Sequence, residues 1–483
     1  MKYTSTRGYG LGENEAPASF TEVMLRGLAS DGGLYVPESY PTLATSALDF
    51  WRGRWYADIA FQIFQKFVGD IPAKELDRIC QEVYSPNSFY YSRNDESDTD
   101  ITPLVRIYPD IDLYLGELGN GMTLSFKDIA LQFVGAATEY VLDTLERKFI
   151  VLAATSGDTG SATISAFGSR EGIEVFVLYP TGRVSKFQED QMVTVSDPDV
   201  HVIAIDGDFD DAQRIAKTLF RDSDFKSRYL LGSANSINWA RIMAQIPYYF
   251  QLYFAASANN ESEVDFAVPT GNFGDILAGY IARRMGLPIR RLYLASNENA
   301  TLPVFFKTGR YEPKETIVTS SPAMDISDPS NFEQFLFEMT GRDSKRIREL
   351  MSLKGSRGYF DVSSSGIMDA VRQSGIIADS VSHRERIEIT RSVYADTGIM
   401  LDPHTANAAY CGCKHFCSEE DVPLVILETA QPAKFGDFVE KALDKKPWIP
   451  DAFRDMSEKP KRFVTLPAKV DAVKKHIVSV LGN

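Results

Sequence analysis

Between residues 113 and 427 the chain repeatedly sets a short, uninterrupted apolar run ahead of a stretch with helical spacing. The runs are Leu113–Leu115, Phe149–Ala154, Glu174–Tyr179, His201–Ile205, Val264–Val268, Arg291–Ala295 and Val422–Leu427. A strand with one wet face alternates apolar and polar residues. Most of these runs do not, which predicts strands covered on both faces. Helical patterns at Ile129–Leu145, Ala212–Phe220 and Ile276–Met285 fall between them. Strand–helix–strand repetition predicts parallel sheets in an α/β fold. In such sheets ligands sit beyond the carboxyl ends of the strands, so the loops that follow the runs are where chemistry belongs.

At 483 residues the chain exceeds what one simple core accommodates, and two or three domains are expected. Residues 1–90 read as a mixed opening module, with a turn at Asp31-Gly32-Gly33 and a helix over Tyr56–Phe67. The polar, acidic stretch Ser92–Asp100 ends it, so an N-terminal domain of residues 1–100 precedes a second domain of residues 101–483. A second polar break lies at Ser257–Glu263, and residues 330–400 read as a mainly helical insertion. A net charge of −15 argues against nucleic acid as a partner. Ile242–Ala256 is interrupted by Gln245, Pro247 and Gln251 and is too short to span a bilayer, which predicts a buried aromatic helix and no membrane partner. Met1–Gly10 has no apolar core of a secretory signal, and only four cysteines occur; both features point to the cytoplasm. Cys411, Cys413 and Cys417, with His415 among them, match no zinc spacing, and no metal is expected.

Five segments carry chemistry. Thr270-Gly271-Asn272-Phe273-Gly274-Asp275 follows one strand and opens a helix; its glycines allow successive N–H groups to converge on an anion at the helix N-terminus, or form a plain left-handed turn. Thr155-Ser156-Gly157-Asp158-Thr159-Gly160 is a second such turn, offering N–H and O–H donors to a carboxylate or simply capping a helix. In Ser125-Phe126-Lys127-Asp128 a lysine stands at a helix start, where the macrodipole opposes its charge and burial would favour the neutral amine that Schiff-base chemistry uses; an exposed lysine is the plain alternative. Asn235-Ser236-Ile237-Asn238-Trp239-Ala240-Arg241 sets amide and hydroxyl groups ahead of an arginine whose fork suits a phosphate monoester, or is a capped helix with a surface arginine. Glu428-Thr429-Ala430-Gln431-Pro432-Ala433-Lys434-Phe435 places a hydroxyl at a strand end.

Together these segments resemble the threonine synthase family, in the branch found in fungi and many bacteria. The likeness runs along nearly the whole chain, from Ser5-Thr6-Arg7-Gly8 and Asp31–Pro37, through the segments above and Ser321-Pro322-Ala323-Met324-Asp325, to Thr429–Phe435. The resemblance implies pyridoxal-phosphate fold type II, of the tryptophan synthase β-subunit kind. Two α/β lobes would hold the cofactor between them, the smaller and mobile one spanning about residues 150–245. It implies that Lys127 binds pyridoxal 5′-phosphate as a Schiff base and shuttles protons. Gly271, Asn272, Phe273, Gly274 and Asp275 would surround the cofactor phosphate, and Thr429 would meet the ring nitrogen. Asp158 stands where many relatives carry an asparagine facing the cofactor's 3′-oxygen. Thr155, Ser156, Gly157 and Thr159 would receive the substrate carboxylate. Asn235, Ser236 and Arg241, with Lys186, would bind the substrate phosphate. The implied reaction, the last step of threonine biosynthesis, turns O-phospho-L-homoserine and water into L-threonine and phosphate, in a monomer or homodimer. The rival readings are a related lyase releasing 2-oxobutyrate, a hydroxy-amino-acid dehydratase, and a non-catalytic cofactor-binding sensor.

Overall fold

The computed structural model describes residues 1–10, 16–91, 100–145, 148–416 and 422–482. The acidic stretch 92–99 and Cys417 lie outside them. Two sheets organise the molecule. The smaller has five parallel strands in the order Val464–Pro467, Val200–Asp206, Ile173–Pro180, Phe149–Ala154 and Leu230–Ser233. The larger has six, in the order Ile376–Ser380, Ile289–Ser296, Val264–Pro269, Leu424–Glu428, Leu113–Glu117 and Leu104–Arg106, with only the last pair antiparallel.

All seven expected strands are present. Within these two sheets, the four strands that escaped the sequence pattern, Leu104–Arg106, Leu230–Ser233, Ile376–Ser380 and Val464–Pro467, are the four edges. An interior strand is apolar on both faces and announces itself. An edge strand is short and part-exposed, as Val464–Pro467 is, and loses that signature.

The smaller sheet is completed from far along the chain: after Val464–Pro467 pairs with Val200–Asp206, the helix Val470–Leu481 packs Val473 and Ile477 into the same core as Ile215 and Leu219. Residues 330–400 hold four helices, Phe332–Met339, Ser344–Arg357, Ile367–Gln373 and His383–Thr397, together with the edge strand Ile376–Ser380. The opening segment packs into one apolar core with helices of the later chain: the Phe64 and Phe133 rings lie 4.4 Å apart, and Trp239 contacts Tyr3 and Phe67. The apolar stretch 242–256 is buried and aromatic, as expected, and is divided between the helices Trp239–Met243 and Ile246–Ala256. Among the described residues no helix is long and apolar enough to cross a membrane.

The crossing of two helices aligns the site. In Lys127–Leu145, a Cβ added at Gly135 would lie 2.2 Å from the Ala166 carbonyl of the helix Asp158–Phe167. Only a glycine lets these backbones meet, and the contact brings the two helix heads, Lys127 and Asp158, to one place.

Candidate active site

Five strand-end loops converge. After Leu113–Glu117 the chain reaches Lys127 at the first position of its helix; after Phe149–Ala154 it reaches Asp158; after Leu230–Ser233, Ser236 and Arg241; after Val264–Pro269, the glycine-rich turn; after Leu424–Glu428, Thr429. Lys127, Asp158, Thr159, Ser236, Arg241, Gly271, Asn272, Phe273, Gly274, Asp275 and Thr429 all line one inner cavity of about 90 Å³. Beside it lies a wider cavity of about 1070 Å³, lined by Ser156, Lys186 and Lys434 among others.

The Lys127 amine lies 3.2 Å from an Asp158 oxygen and above the Phe126 ring. Burial holds this amine below its ordinary pKa, against the pull of Asp158. Burial opposes ionisation of Asp158 too, yet the cations of Lys127 and Lys434 keep its carboxyl well below the usual range. Gln188 donates to the same carboxylate at 2.8 Å.

The glycine-rich turn is a backbone cup. Phe273 sits at φ 71°, left-handed for a residue with a Cβ, and leads into the helix Gly274–Arg284. Among the described residues, the N–H groups of Gly271, Asn272, Phe273 and Gly274 meet no protein acceptor. A Cβ at Gly271 would lie 2.7 Å from the Ala323 carbonyl, so the cup wall is backbone on both sides. Asp275 stands behind it, accepting from Tyr248 at 2.6 Å and Tyr249 at 2.8 Å, with its second oxygen unpartnered; burial pushes its carboxyl up to about 6.

Arg241 is buried. One of its terminal nitrogens donates to the Ala234 carbonyl at 2.9 Å and its Nε has no partner. No salt bridge reaches it from any described carboxylate, and burial pushes it down to about 10. A buried guanidinium of this kind is a site for an incoming anion. Asn331 joins this corner to the cup, donating from its side chain to the Ser236 carbonyl at 2.8 Å and from its backbone to the Asn272 carbonyl at 3.1 Å.

The other expected residues, Thr159 apart, stand further off. The Thr155 hydroxyl accepts from the N–H groups of Gly157 and Gly160, both at 2.9 Å, and Gly157 adopts φ 134°. Those two residues shape the loop, while the Ser156 and Thr159 N–H groups donate to no described protein acceptor. Asn235 donates to the Ala154 carbonyl at 2.9 Å and ties its loop to the neighbouring strand. Lys186 is exposed at the rim of the wider cavity, paired with Asp190 at 2.5 Å.

Three residues were given no role from sequence. Lys434 is fully buried and reaches Asp158 at 3.0 Å. Gln188 lies deep in the smaller lobe. His404 lines the inner cavity, with Nδ1 2.7 Å from Asp402 and Nε2 receiving the Ala323 N–H at 3.1 Å. The one available signal for His404 was Asp402-Pro403, a helix start, two residues earlier. Asp379, Cys411 and His415 place their ligand atoms within 4.8 Å of one another, and Lys414 already supplies a cation to Asp379 at 3.0 Å.

The donor set suits pyridoxal phosphate: backbone N–H groups for its dianionic tail, a largely buried amine for its aldehyde, and the Thr429 hydroxyl for its ring nitrogen. Two α/β sheets with these loops between them define a pyridoxal-phosphate enzyme of fold type II, and residues 94–354 match the family model described as pyridoxal-phosphate dependent enzyme. Models for the threonine synthase N terminus and C-terminal region match residues 2–84 and 405–477. The chain is 43% identical over 482 residues to the threonine synthase of Methylobacillus glycogenes, covering 99% of each chain. It is 40% identical over 491 residues to that of Corynebacterium glutamicum, covering 100% of this chain and 99% of the relative. The crystal structure of pyridoxal-phosphate-bound threonine synthase from Brucella melitensis superposes with a TM-score of 0.89 at 38% identity, covering 99% of this chain and 98% of that one. The chain belongs to the threonine synthase family.

Proposed function

We propose that this enzyme converts O-phospho-L-homoserine and water into L-threonine and phosphate. The observation that carries the reading is Arg241: a buried guanidinium without a carboxylate, in the same cavity as Lys127 and a separate backbone anion cup. The backbone cup suits the cofactor phosphate and the Ser156 and Thr159 donors suit the substrate carboxylate, which leaves the buried Arg241 for a third anion, a phosphate on the substrate itself. A dehydratase acting on an unphosphorylated hydroxy amino acid has no use for a third site.

In this reading the N–H groups of Gly271–Gly274 hold the cofactor phosphate, with Asp275 behind them, and Thr429 donates to or accepts from the ring nitrogen. Bound there, pyridoxal phosphate supplies an electron-withdrawing ring that stabilises negative charge at the substrate's Cα. Lys127 is its covalent attachment point. The Lys127 amine, freed when the substrate's amine takes its place, would take a proton from Cα and, once relieved of it, a second from Cβ; burial shifts this amine towards the neutral form that a base needs. Arg241 and Ser236, with Asn235 fixing their loop and Lys186 at the rim, bind the substrate phosphate as it leaves from Cγ. The Ser156 and Thr159 donors, on the loop shaped by Thr155 and Gly157, receive the carboxylate. Lys127 would pass the proton taken from Cβ to Cγ, water would give its hydroxyl to Cβ and its other proton to the departing phosphate, and Lys127 would return a proton to Cα before threonine departs. The buried walls of the inner cavity keep other water away.

We further read the enzyme as a cytoplasmic monomer or homodimer acting on a small molecule, without nucleic acid or membrane. The described cysteines are free, which fits a reducing compartment. The test is to incubate the protein with pyridoxal phosphate and O-phosphohomoserine and to assay threonine and inorganic phosphate together. Equal amounts of both are expected; 2-oxobutyrate without threonine overturns the reading.

A further inference from the structure

Asp158 lies between two lysines. One oxygen is 3.2 Å from Lys127 Nζ and the other 3.0 Å from Lys434 Nζ. Lys434 is fully buried; its amine also donates to the Thr123 carbonyl at 2.6 Å, and its own carbonyl accepts from Ser185 at 2.9 Å. The three groups come from three separate parts of the chain: the head of the helix Lys127–Leu145, the head of the helix Asp158–Phe167, and the turn after the strand Leu424–Glu428. A buried lysine is costly unless it is paired, and here its partner, among the described residues, is the carboxylate that touches Lys127.

A lone carboxylate at this distance would bind the proton on the Lys127 nitrogen tightly. An asparagine in its place would not. We infer that Lys434 is a positioning residue that matches the charge of Asp158, so that the Asp158–Lys434 pair presents to the Lys127 nitrogen the nearly neutral face an asparagine would present. The pair thereby sets the pH at which that nitrogen, once attached to the cofactor, gains its proton. The pair also ties the helix head that follows Phe149–Ala154 to the turn after Leu424–Glu428, and Gln188 fixes the carboxylate's orientation. The other charged or titratable groups facing the cluster are His404 toward Asp158, Arg241 and Asp275 toward Lys127, and Asp128 toward Lys434. None of them bridges both sides of Asp158.

The proposal rests on Lys127 as the cofactor's attachment point, and one set of measurements separates the two. Purified full-length protein is loaded with pyridoxal phosphate and its visible absorbance is titrated with pH. A band in the wild type that is lost in Lys127→Ala supports the attachment; a wild type with no band overturns the attachment and this proposal with it. Given the band, Lys434→Met leaves Asp158 uncompensated, and the titration midpoint should rise by about one pH unit or more. Asp158→Asn leaves Lys434 uncompensated, and the midpoint should fall by a similar amount. The double variant Asp158→Asn/Lys434→Met should return towards the wild type. A purely structural Lys434 would lower the unfolding temperature and leave all midpoints alike, which overturns the proposal, as does a double variant no nearer the wild type than either single one. If Lys434→Met yields no folded protein, Lys434→Gln takes its place: a midpoint equal to the wild type's overturns the proposal, and a risen one supports it.

Discussion

Single side chains in this site are held by partners that decide what a substitution does. Removing Arg241 to alanine deletes the buried cation and should weaken phosphohomoserine binding by about 2–5 kcal/mol, measured by titration into the cofactor-loaded protein. Lysine in its place should restore only part of this, because the planar fork is lost. A loss near zero would remove Arg241 from the site. Asp275 behaves differently from what the turn alone suggests, because two tyrosines donate to it. Asp275→Ala removes the carboxylate acceptor of two buried hydroxyls, leaving Tyr249 the carbonyl of residue 275 at 3.0 Å and Tyr248 only a long contact to Gln245 at 3.4 Å, so fold and cofactor retention should both suffer; Asp275→Asn, which keeps an acceptor, should unfold at higher denaturant than the alanine variant. Asp128 tests the pH dependence. It accepts from the Thr123 N–H at 2.8 Å and hydroxyl at 2.7 Å, yet burial raises its carboxyl from 3.8 to about 6. The folded state therefore holds the proton more tightly than the unfolded chain. The associated stability, on the order of 3 kcal/mol, is present below pH 4 and lost as pH rises through 6. Asp128→Asn should escape that loss, so its stability relative to the wild type should improve between pH 4 and pH 7 in urea unfolding of the cofactor-free protein.

Among elements, the glycine-rich turn gives the sharpest test. Phe273 pays the cost of a left-handed backbone to seat its ring against Phe306, Phe332 and Phe335. Replacing it by alanine should cost about 3–5 kcal/mol of stability. Glycine, which adopts this φ freely, should cost about 1 kcal/mol less than alanine, a reversal of their usual helix order that a pair of denaturation curves would reveal. Elements and site were unequally legible before the structure. The seven interior strands were readable because burial on both faces leaves an unbroken apolar run. The edges were not, because they are short and, Leu230–Ser233 apart, part-exposed, so no unbroken apolar run marks them. Likewise the strand-end loops could be located one by one, as could Lys127 at its helix head. The Asp158–Lys434 contact could not be, since nothing in the spacing of two residues so far apart along the chain says that their side chains meet. His404 was hidden for the same reason: its role depends on the Ala323 N–H, supplied by another loop.

At the scale of the molecule, the smaller lobe depends on the far end of the described chain. Val464–Pro467 forms the sheet edge, Val473 and Ile477 fill the core behind it, and Lys474 pairs with Asp222. Deleting residues 464–483 should expose that core and the flank of Val200–Asp206. The truncated protein should bind a hydrophobic dye and be cut by protease within residues 149–233 while the larger lobe resists; equal protection of both lobes would contradict this assembly. The same stitching sets an order of events during synthesis. The ribosome makes the strand Val200–Asp206 long before the segment that must lie beside it, so a growing chain carries an unfinished lobe until its last helix is free. Until residues 464–482 have emerged, that lobe carries an open strand edge at Val200–Asp206, a surface on which a neighbouring chain can pair.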